Sequence, residues 1–363
     1  MDKKVYDYWL YGLEGIGRKT FLRLHKEGYD GFEVYHCKET KLPSFLGEKQ
    51  KLVIKKGQEK TEEILCEEFE KIKKQGIFMT VFGDADYPKR LSKIPDAPAV
   101  LFYKGSLPKK EQKNIAIIGA RNCSEYGKTV AAEFAACFAQ KGVCVVSGMA
   151  LGVDGYAQKA AIKQGGFSVG VLGSGVNVCY PREHTGLYGE LIKKGCVLSE
   201  YLPYINASAN LFPQRNRIIS GLSDALIVVE AKEKSGTLIT VEMALEQGKE
   251  VYVVPGRITD ELSRGCNKLL DEGASPAVNP QKVLENLYGM QEMNITLSKE
   301  EQGSSLQKMI LSFLEVTPLH INVLQERTGL ALEVLTKELL LLMLEDKVTS
   351  VGNQWYQKKT EQL

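Results

Sequence analysis

An aromatic residue and a proline precede two arginines in the segment Phe212-Pro-Gln-Arg-Asn-Arg217, which leads into an apolar run. The arginine guanidinium is flat and always charged, and its N–H donors match phosphate and carboxylate groups. No Asp or Glu directly flanks Arg215 or Arg217, so the residue types favour a phosphate site that also includes Asn216. An aromatic ring beside such a site can stack on a nucleic-acid base. Phe212 is equally compatible with a role as a core anchor.

None of the six arginines of the segment 114–275 falls inside a predicted crossover helix, so several are expected in loops, whereas most of the lysines lie on predicted helices. If these loops meet at one edge of a sheet, the arginines converge there and favour phosphate. The alternative is that each arginine pairs with a carboxylate of the same segment, such as Glu230, Asp224 or Asp260. The arginines are Arg121, Arg182, Arg215, Arg217, Arg257 and Arg264.

Glycine-rich turns follow several predicted strands at their carboxyl ends. Backbone N–H groups that no side chain covers attract anions, especially where a helix begins. The turn Ser235-Gly236-Thr237 also precedes a helix and adds hydroxyl groups. The other turns are Gly119-Ala120-Arg121, Ser147-Gly148-Met149, Gly173-Ser174-Gly175 and Pro255-Gly256-Arg257.

Short apolar strands alternate with helices from residue 114 onward, and this alternation determines where the turns lie. It is typical of a parallel sheet that is covered on both faces. We therefore predict an α/β fold with a Rossmann-like, doubly wound, mostly parallel sheet, whose ligands bind outside the carboxyl ends of the strands. The run 100–103 is expected to add an edge strand. The predicted strands are 115–118, 143–146, 168–172, 196–199, 225–229 and 251–254, and the predicted helices are 124–140 and 155–164.

Two further modules are expected to flank the core, which we place at 76–290. Residues 1–75 are predicted to form a helical domain of the helix-hairpin-helix or SAM-like type. Its Gly15-Ile-Gly17 turn either holds a DNA phosphate or only permits a tight hairpin of helices. After a linker at 291–305, residues 306–363 are predicted to form a winged-helix-like domain. Its third helix is poor in arginine, so protein contact or stabilisation is as well supported as DNA reading.

The composition is that of an ordinary globular protein, with 44% hydrophobic and 25% charged residues and a net charge of +2. The overall charge does not indicate a nucleic-acid binder, so the placement of charges is more informative. No apolar run reaches the roughly 18 residues of a membrane span, and no signal peptide is evident, so a cytoplasmic location without membrane contact is expected. The eight scattered cysteines favour free thiols over disulfides or a zinc site.

Catalytic patterns have little support in the sequence. Residues 122–129 lack the first glycine of a Walker loop, and residues 173–178 lack the third glycine of a dinucleotide fingerprint. No metal-ligand spacing or nucleophile elbow occurs, and no cofactor is expected. One catalytic alternative is the turn from Ser235 to Glu242, which is similar to the phosphate motif of lysine-decarboxylase-like nucleotide phosphoribohydrolases. In that family the glutamate acts at the ribose, but the spacing here is altered.

An ordered series of motifs resembles the DNA-processing protein A family, also called DprA or Smf. The similarity covers residues 80–285 closely and the flanking modules more loosely. The motifs are Ile117-Ile-Gly-Ala-Arg121, Ser147-Gly-Met-Ala-Leu-Gly-Val-Asp154, Gly173-Ser-Gly175, Tyr180-Pro181, Ser199-Glu-Tyr-Leu-Pro203, Phe212-Pro-Gln-Arg-Asn-Arg-Ile-Ile-Ser-Gly-Leu222, Val228-Val-Glu-Ala231, Ser235-Gly-Thr237 and Val254-Pro-Gly256.

The resemblance implies a non-catalytic protein that binds and protects single-stranded DNA and loads the RecA recombinase in natural transformation. It also implies a homodimer formed through the Rossmann-like core. Phe212 would stack on a base, while Arg121 and the other arginines would hold phosphates. The expected DNA-contacting residues are Gly119, Ala120, Arg121, Ser147, Gly148, Gly173, Ser174, Gly175, Arg182, Phe212, Arg215, Asn216, Arg217, Ser235, Gly236 and Thr237.

Two positions depart from the pattern of that family. Gln158 stands where a histidine is usual, and His184 stands where an asparagine is usual. Roles that depend on those two side chains, including a residual nucleotide-processing role, are therefore in doubt for this chain.

Overall fold

The computed structural model describes residues 2–290, 305–314, 318–345, 347–352 and 354–359. The chain divides into two compact units, Met1–Gln291 and Glu292–Leu363. The expected linker at 291–305 lies outside the described residues, except for Ser305 at the start of a helix. The expected boundary near residue 75 stays a prediction, because the helices before it and the strands after it share one apolar cluster.

Five helices form the beginning of the first unit. Their apolar faces bury aromatic and aliphatic side chains, among them Trp9, Phe21 and Ile72. The same cluster includes Val100 and Phe102 from the sheet, so the helices pack on one end of it. The helices are α1 (Lys4–Gly12), α2 (Arg18–Lys26), α3 (Gly31–His36), α4 (Glu48–Gly57) and α5 (Glu62–Lys74).

A nine-stranded sheet forms the centre of the first unit, in the order β1-β2-β6-β5-β4-β3-β7-β8-β9. Neighbouring strands from β6 to β9 are parallel, whereas β2 pairs antiparallel with β6 and with β1. The run 100–103 is therefore not an edge strand, because residues 78–81 form a further strand outside it. The strands are β1 (Phe78–Val81), β2 (Val100–Gly105), β3 (Asn114–Ile118), β4 (Cys144–Ser147), β5 (Ser168–Val171), β6 (Cys196–Ser199), β7 (Ala225–Val228), β8 (Glu250–Val253) and β9 (Ser275–Pro276).

Helices cover both faces of the sheet, as the alternating pattern predicts. One apolar cluster joins the sheet to α6, α7 and α12, and another joins it to α9, α10 and α11. With the winged-helix unit described below, this confirms the predicted fold class. The helices are α6 (Glu125–Gln140), α7 (Val153–Lys163), α8 (Thr185–Lys194), α9 (Leu211–Leu222), α10 (Gly236–Glu246), α11 (Glu261–Asp271) and α12 (Pro280–Tyr288).

The expectation that the arginines lie in loops is wrong for three of them. Arg215 and Arg217 lie within α9, and Arg264 lies within α11. A proline is usually unfavourable inside a helix, but Pro213 is the third residue of α9. A proline is tolerated in the first helical turn, where its missing N–H has no partner within the helix.

The strand order reverses beside β3. The chain leaves β3 through α6 and reaches β4 on one side, whereas β7 lies on the other side of β3. The loops at this point diverge to opposite faces and leave a crevice outside the carboxyl ends of the strands. Such a crevice is the usual ligand site of an open α/β sheet.

The described part of the second unit contains three helices and a small antiparallel sheet with strand order β10-β12-β11. Its core includes Ile310, Leu324 and Leu339. This arrangement confirms the winged-helix prediction. The elements are α13 (Ser305–Phe313), β10 (Leu319–His320), α14 (Ile321–Thr328), α15 (Leu332–Leu344), β11 (Val348–Gly352) and β12 (Trp355–Lys358).

The cysteines are all free thiols, and four of them (Cys137, Cys144, Cys196 and Cys266) are buried. Within the described ranges, no helix has both the length and the apolar character that crossing a membrane requires.

Candidate functional site

A cleft of about 690 Å³ opens at the carboxyl ends of β3 and β7, where the strand order reverses. The turn after β3 supplies Gly119 to Asn122, and the first turns of α9 and α10 supply the facing walls. Nine of the residues expected from the sequence to contact DNA line this cleft. They are Gly119, Ala120, Arg121, Phe212, Arg215, Asn216, Ser235, Gly236 and Thr237.

An arginine and two aromatic rings form the most exposed part of the cleft. The guanidinium carbon of Arg121 lies 5.3 Å from the centroid of the Phe212 ring. The Tyr180 ring lies 5.5 Å from the Phe212 ring, with 31° between their planes. Tyr180 is exposed and Phe212 half-buried, so both rings are accessible beside a cation. Arg121 forms no ion pair with any described residue, which leaves its charge available to a ligand.

Two glycines allow these side chains to reach their positions. A Cβ atom on Gly173 would lie 2.6 Å from Cδ1 of Phe212, so only glycine leaves room for the ring. Gly152 has a φ of 74° and lies directly against the carbonyl oxygens of Ala120 and Arg121. An L side chain there would be strained and would also displace the turn that carries Arg121.

The amino-terminal end of α10 forms another wall of the cleft. Gly236 is its first residue and Ser235 its N-cap, and the Ser235 side chain caps no backbone N–H. The Ser235 hydroxyl is buried and has no hydrogen-bond partner among the described residues. The first N–H groups of a helix have no partner within it, and the helix dipole favours negative charge there. This wall is therefore suited to a phosphate.

Arg215 lies behind the exposed part of the cleft, where its side chain is hydrogen-bonded to the backbone at the ends of two strands. It is 4% exposed, and its Nη1 donates hydrogen bonds to the carbonyl of Gly148, at 2.6 Å, and to that of Val171. These carbonyls lie at the carboxyl ends of β4 and β5. Burial lowers the pKa of Arg215 to about 10, and the attraction of Asp154 opposes that change.

Asp154 is a buried carboxylate whose charge attracts that of Arg215. Its Oδ2 accepts hydrogen bonds from the N–H groups of Gly148, at 3.0 Å, and Ala150, at 3.4 Å. Burial raises the pKa of Asp154, and the charge of Arg215 opposes that rise. Together the two side chains brace the inner wall of the cleft.

The prediction that Arg217 holds a DNA phosphate is corrected by its surroundings. Its side chain is buried and paired with the carboxylate of Glu200, which is also buried, and Asp96 lies 3.8 Å away. Arg18 of α2 joins the same cluster, 3.9 Å from Glu200. The alternative that an arginine pairs with a carboxylate of its own unit is thus right for Arg217, although the partner is Glu200.

The three carboxylates that the sequence suggested have other roles or no arginine partner. Glu230 accepts hydrogen bonds from the N–H (2.9 Å) and the hydroxyl of Ser124, the N-cap of α6. Asp224 pairs with Arg90, at 2.7 Å. Asp260 forms no ion pair within the described residues. The core arginines are therefore not neutralised in the way that this alternative expects.

Four residues expected to contact DNA are buried instead, with their polar groups already bonded. The Ser147 hydroxyl donates to the Ile117 carbonyl at 2.6 Å, and the Ser174 hydroxyl donates to the Val178 carbonyl at 3.0 Å. The Gly175 N–H donates to the Ile205 carbonyl at 2.8 Å, and the Gly148 N–H donates to Asp154. These groups shape the cleft from behind, and the expectation that they bind an anion directly is corrected.

Arg182 and Glu242 lie outside the lining of the cleft. Arg182 is exposed at the start of the short 3₁₀ helix Arg182–His184, just beyond Tyr180. Glu242 is exposed on α10. The phosphoribohydrolase alternative needs this carboxylate beside a bound ribose, and the structure does not bring it there.

Sequence reasoning also missed residues of this site. Tyr180, which the sequence places only in a motif, lies in the cleft together with Lys232 and Asn122, which no motif predicts as lining residues. An aromatic residue before a proline in a glycine-rich loop was a usable signal for Tyr180. Glu200 gave no such signal, because its partner Arg217 is separated from it by a loop.

The chain matches two family models and is similar to several individual proteins. The model described as DNA recombination-mediator protein A matches residues 78–288, and the DprA winged helix domain model matches residues 297–354. Protein Smf of Escherichia coli K12 is 37% identical over 275 residues, which is 73% of this chain and 73% of that protein. The DNA processing protein DprA of Bacillus subtilis 168 is 42% identical over 216 residues, 59% of this chain and 73% of that protein.

Two solved structures are also similar to this chain. The X-ray structure of DNA processing protein A from Streptococcus pneumoniae has a TM-score of 0.67 and 33% identity, covering 79% of this chain and 98% of that one. DNA processing protein A from Helicobacter pylori, described for its single-stranded DNA binding mode, has a TM-score of 0.52 and 29% identity. That match covers 58% of this chain and 95% of the other.

Proposed function

We propose that this chain, which belongs to the DNA recombination-mediator protein A family, binds single-stranded DNA in the cleft at Arg121. The family expected from the sequence motifs is confirmed. The observation that carries the proposal is an unpaired arginine over an accessible aromatic ring, beside the open end of α10. The Helicobacter pylori relative, known for its single-stranded DNA binding mode, supports the same ligand.

Each part of the cleft has a role in this proposal. Arg121 neutralises one phosphate, and the first N–H groups of α10 with Ser235 hold another. The rings of Phe212 and Tyr180 stack on bases, which every base permits because each has a flat face. A base reaches these rings only when it is not paired and stacked in a duplex. The arrangement therefore selects single strands with little preference for sequence.

Further steps of the proposal rest on family membership. The description of the family as recombination mediators supports a transfer of the bound strand to the RecA recombinase, with protection of the strand until then. Natural transformation is the proposed setting, and a homodimer through the core is the proposed assembly. We also propose that the protein works without catalysis. Faster RecA filament growth on coated single strands, and a dimer mass in sedimentation, are the expected results.

The DNA site is tested with fluorescently labelled oligo-dT and its duplex, by anisotropy over a range of salt. We expect tight single-strand binding that weakens with salt, at a slope of about 0.7 per neutralised phosphate. Arg121→Gln should weaken it. Arg257→Gln is the matched control, because Arg257 is also an exposed core arginine but lies outside this cleft. Equal binding of the duplex, or equal loss in both variants, would contradict the proposal.

A further inference from the structure

A second cleft, of about 470 Å³, adjoins the first and shares Arg121 and Asn122 with it. It lies between the beginning of α6, the beginning of α7 and the 3₁₀ helix Arg182–His184. A strand that leaves the first cleft past Arg121 on this side enters the second one directly. The role proposed above does not use any of its other residues.

The second cleft contains an exposed aromatic ring with two lysines close to it. Tyr156 is 39% exposed, and the ammonium groups of Lys128 and Lys159 lie 5.6 Å and 5.9 Å from the centroid of its ring. An accessible ring in a positively charged groove is the combination that single-strand binders use, with stacking for a base and charge for the flanking phosphates.

The carboxylates around this cleft do not cancel its charge. Lys128 pairs with Glu125 at 2.5 Å, but that carboxylate is 89% exposed, and exposed ion pairs contribute little to stability. A DNA phosphate can therefore replace Glu125 as the partner of Lys128 with little loss of free energy. Glu183 is the acidic residue in the lining, against the cations Arg121, Lys128 and Lys159.

The floor of the cleft is formed by a buried histidine that is held in place by the backbone. His184 is 5% exposed, and its Nδ1 donates to the Met149 carbonyl at 2.9 Å. The Cε1 and Nε2 edge of the ring packs against Gly155, where a Cβ atom would lie only 2.7 Å from Nε2.

We propose that the second cleft binds a further part of the same DNA strand, with a base stacked on Tyr156 and the adjacent phosphates at Lys128 and Lys159. This inference rests on the proposed function, since it extends the strand from the first cleft. It fixes the direction in which the strand leaves Arg121, toward the beginning of α7. It also makes the affinity depend on strand length.

The test compares a short oligo-dT with a long one, about 4 and about 16 nucleotides, the range of site sizes known for single-strand binding folds. The short strand fills the first cleft alone. For the long strand, the double variant Lys128→Gln/Lys159→Gln should lower the salt slope by about 1.4, two phosphates at about 0.7 each. Tyr156→Ala should weaken long-strand binding about 5- to 100-fold. Neither change should affect the short strand.

The matched control is Lys163→Gln/Lys193→Gln, which removes the same charge from exposed positions outside both clefts. An unchanged long-strand slope in the Lys128 and Lys159 variant, or an equal loss for the short strand, overturns the inference. In either case the effect of Arg121→Gln on the short strand still decides the proposed function. If Arg121→Gln leaves short-strand binding intact, the first cleft is not the DNA site and both proposals fail.

Discussion

Replacing Arg121 and replacing Arg215, two arginines with similar expected roles in the sequence, should change different properties of the protein. Arg121 is exposed and unpaired within the described residues, whereas Arg215 is buried and donates to the carbonyls of Gly148 and Val171. We therefore expect Arg121→Gln to reduce DNA binding at unchanged stability. Arg215→Gln should reduce the free energy of unfolding first, and binding only through that loss.

The magnitudes follow from the contacts. A hydrogen bond to a charged group contributes about 1.5 to 3 kcal/mol, so the two bonds of Arg215 contribute about 3 to 6 kcal/mol. Burial lowers the pKa of Arg215 to about 10, which shows that burying its charge costs free energy. This cost offsets part of the gain from the hydrogen bonds, so we expect the lower end of the range, a loss of about 3 kcal/mol. For Arg121→Gln, one lost phosphate contact should lower the salt slope by about 0.7 and weaken binding about 10- to 100-fold.

The assay is urea unfolding in a Trp355→Phe background, alongside anisotropy with oligo-dT. The chain has two tryptophans, so Trp9 then reports on the first unit alone. A loss of about 3 kcal/mol moves the midpoint by about 1 M when the slope is about 3 kcal/mol per M. The reasoning is refuted if Arg215→Gln leaves the midpoint unchanged while it weakens binding as much as Arg121→Gln does.

Three further outcomes are expected. Phe212→Ala should weaken oligo-dT binding about 5- to 100-fold and Phe212→Tyr should not, because stacking needs only the ring; equal anisotropy curves for all three proteins would argue against stacking. Arg217→Met should cost about 3 to 5 kcal/mol at pH 7, because it leaves the buried Glu200 carboxylate without its nearest cation. Burial already raises the pKa of Glu200 above 4.5, and Arg217 opposes that rise, so the variant raises it further. The loss should therefore shrink as the pH falls toward 4.5, which urea unfolding at pH 5 and pH 7 measures; a pH-independent loss would exclude this cause. The chain should release no free base from a nucleoside monophosphate, measured by chromatography, because Glu242 is exposed outside the cleft; release that Glu242→Gln abolishes would restore the catalytic alternative.

The sheet and its crossovers were predictable because periodicity is a local property. The strand at 196–199 and the helix that starts near Ser124 follow from apolar runs and a capping residue. The edge of the sheet was not predictable in the same way. Phe78–Val81 is a short run after polar helices, and only its pairing with β2 makes it a strand.

The site was predictable in its location and only partly in its members. The turn at Arg121 and the end of α10 follow strands that converge at one edge, so parallel topology alone brings them together. Burial is what the sequence could not give. Arg215 and Arg217 are neighbours on α9, but Arg215 faces the ends of β4 and β5 whereas Arg217 faces Glu200. That difference depends on contacts between segments that are far apart in the chain.

The apolar cluster shared by the first helices and the sheet limits how this segment can be exchanged between relatives. Phe21 and Ile72 pack in the same cluster as Phe102 of β2 and Val176. The Tyr11 hydroxyl also donates to the carbonyl of Glu200, at 2.9 Å. A chimera that takes residues 1–75 from another family member must therefore bring the matching side chains of β2 with it. The segment is a built-in part of the framework and not an interchangeable cassette.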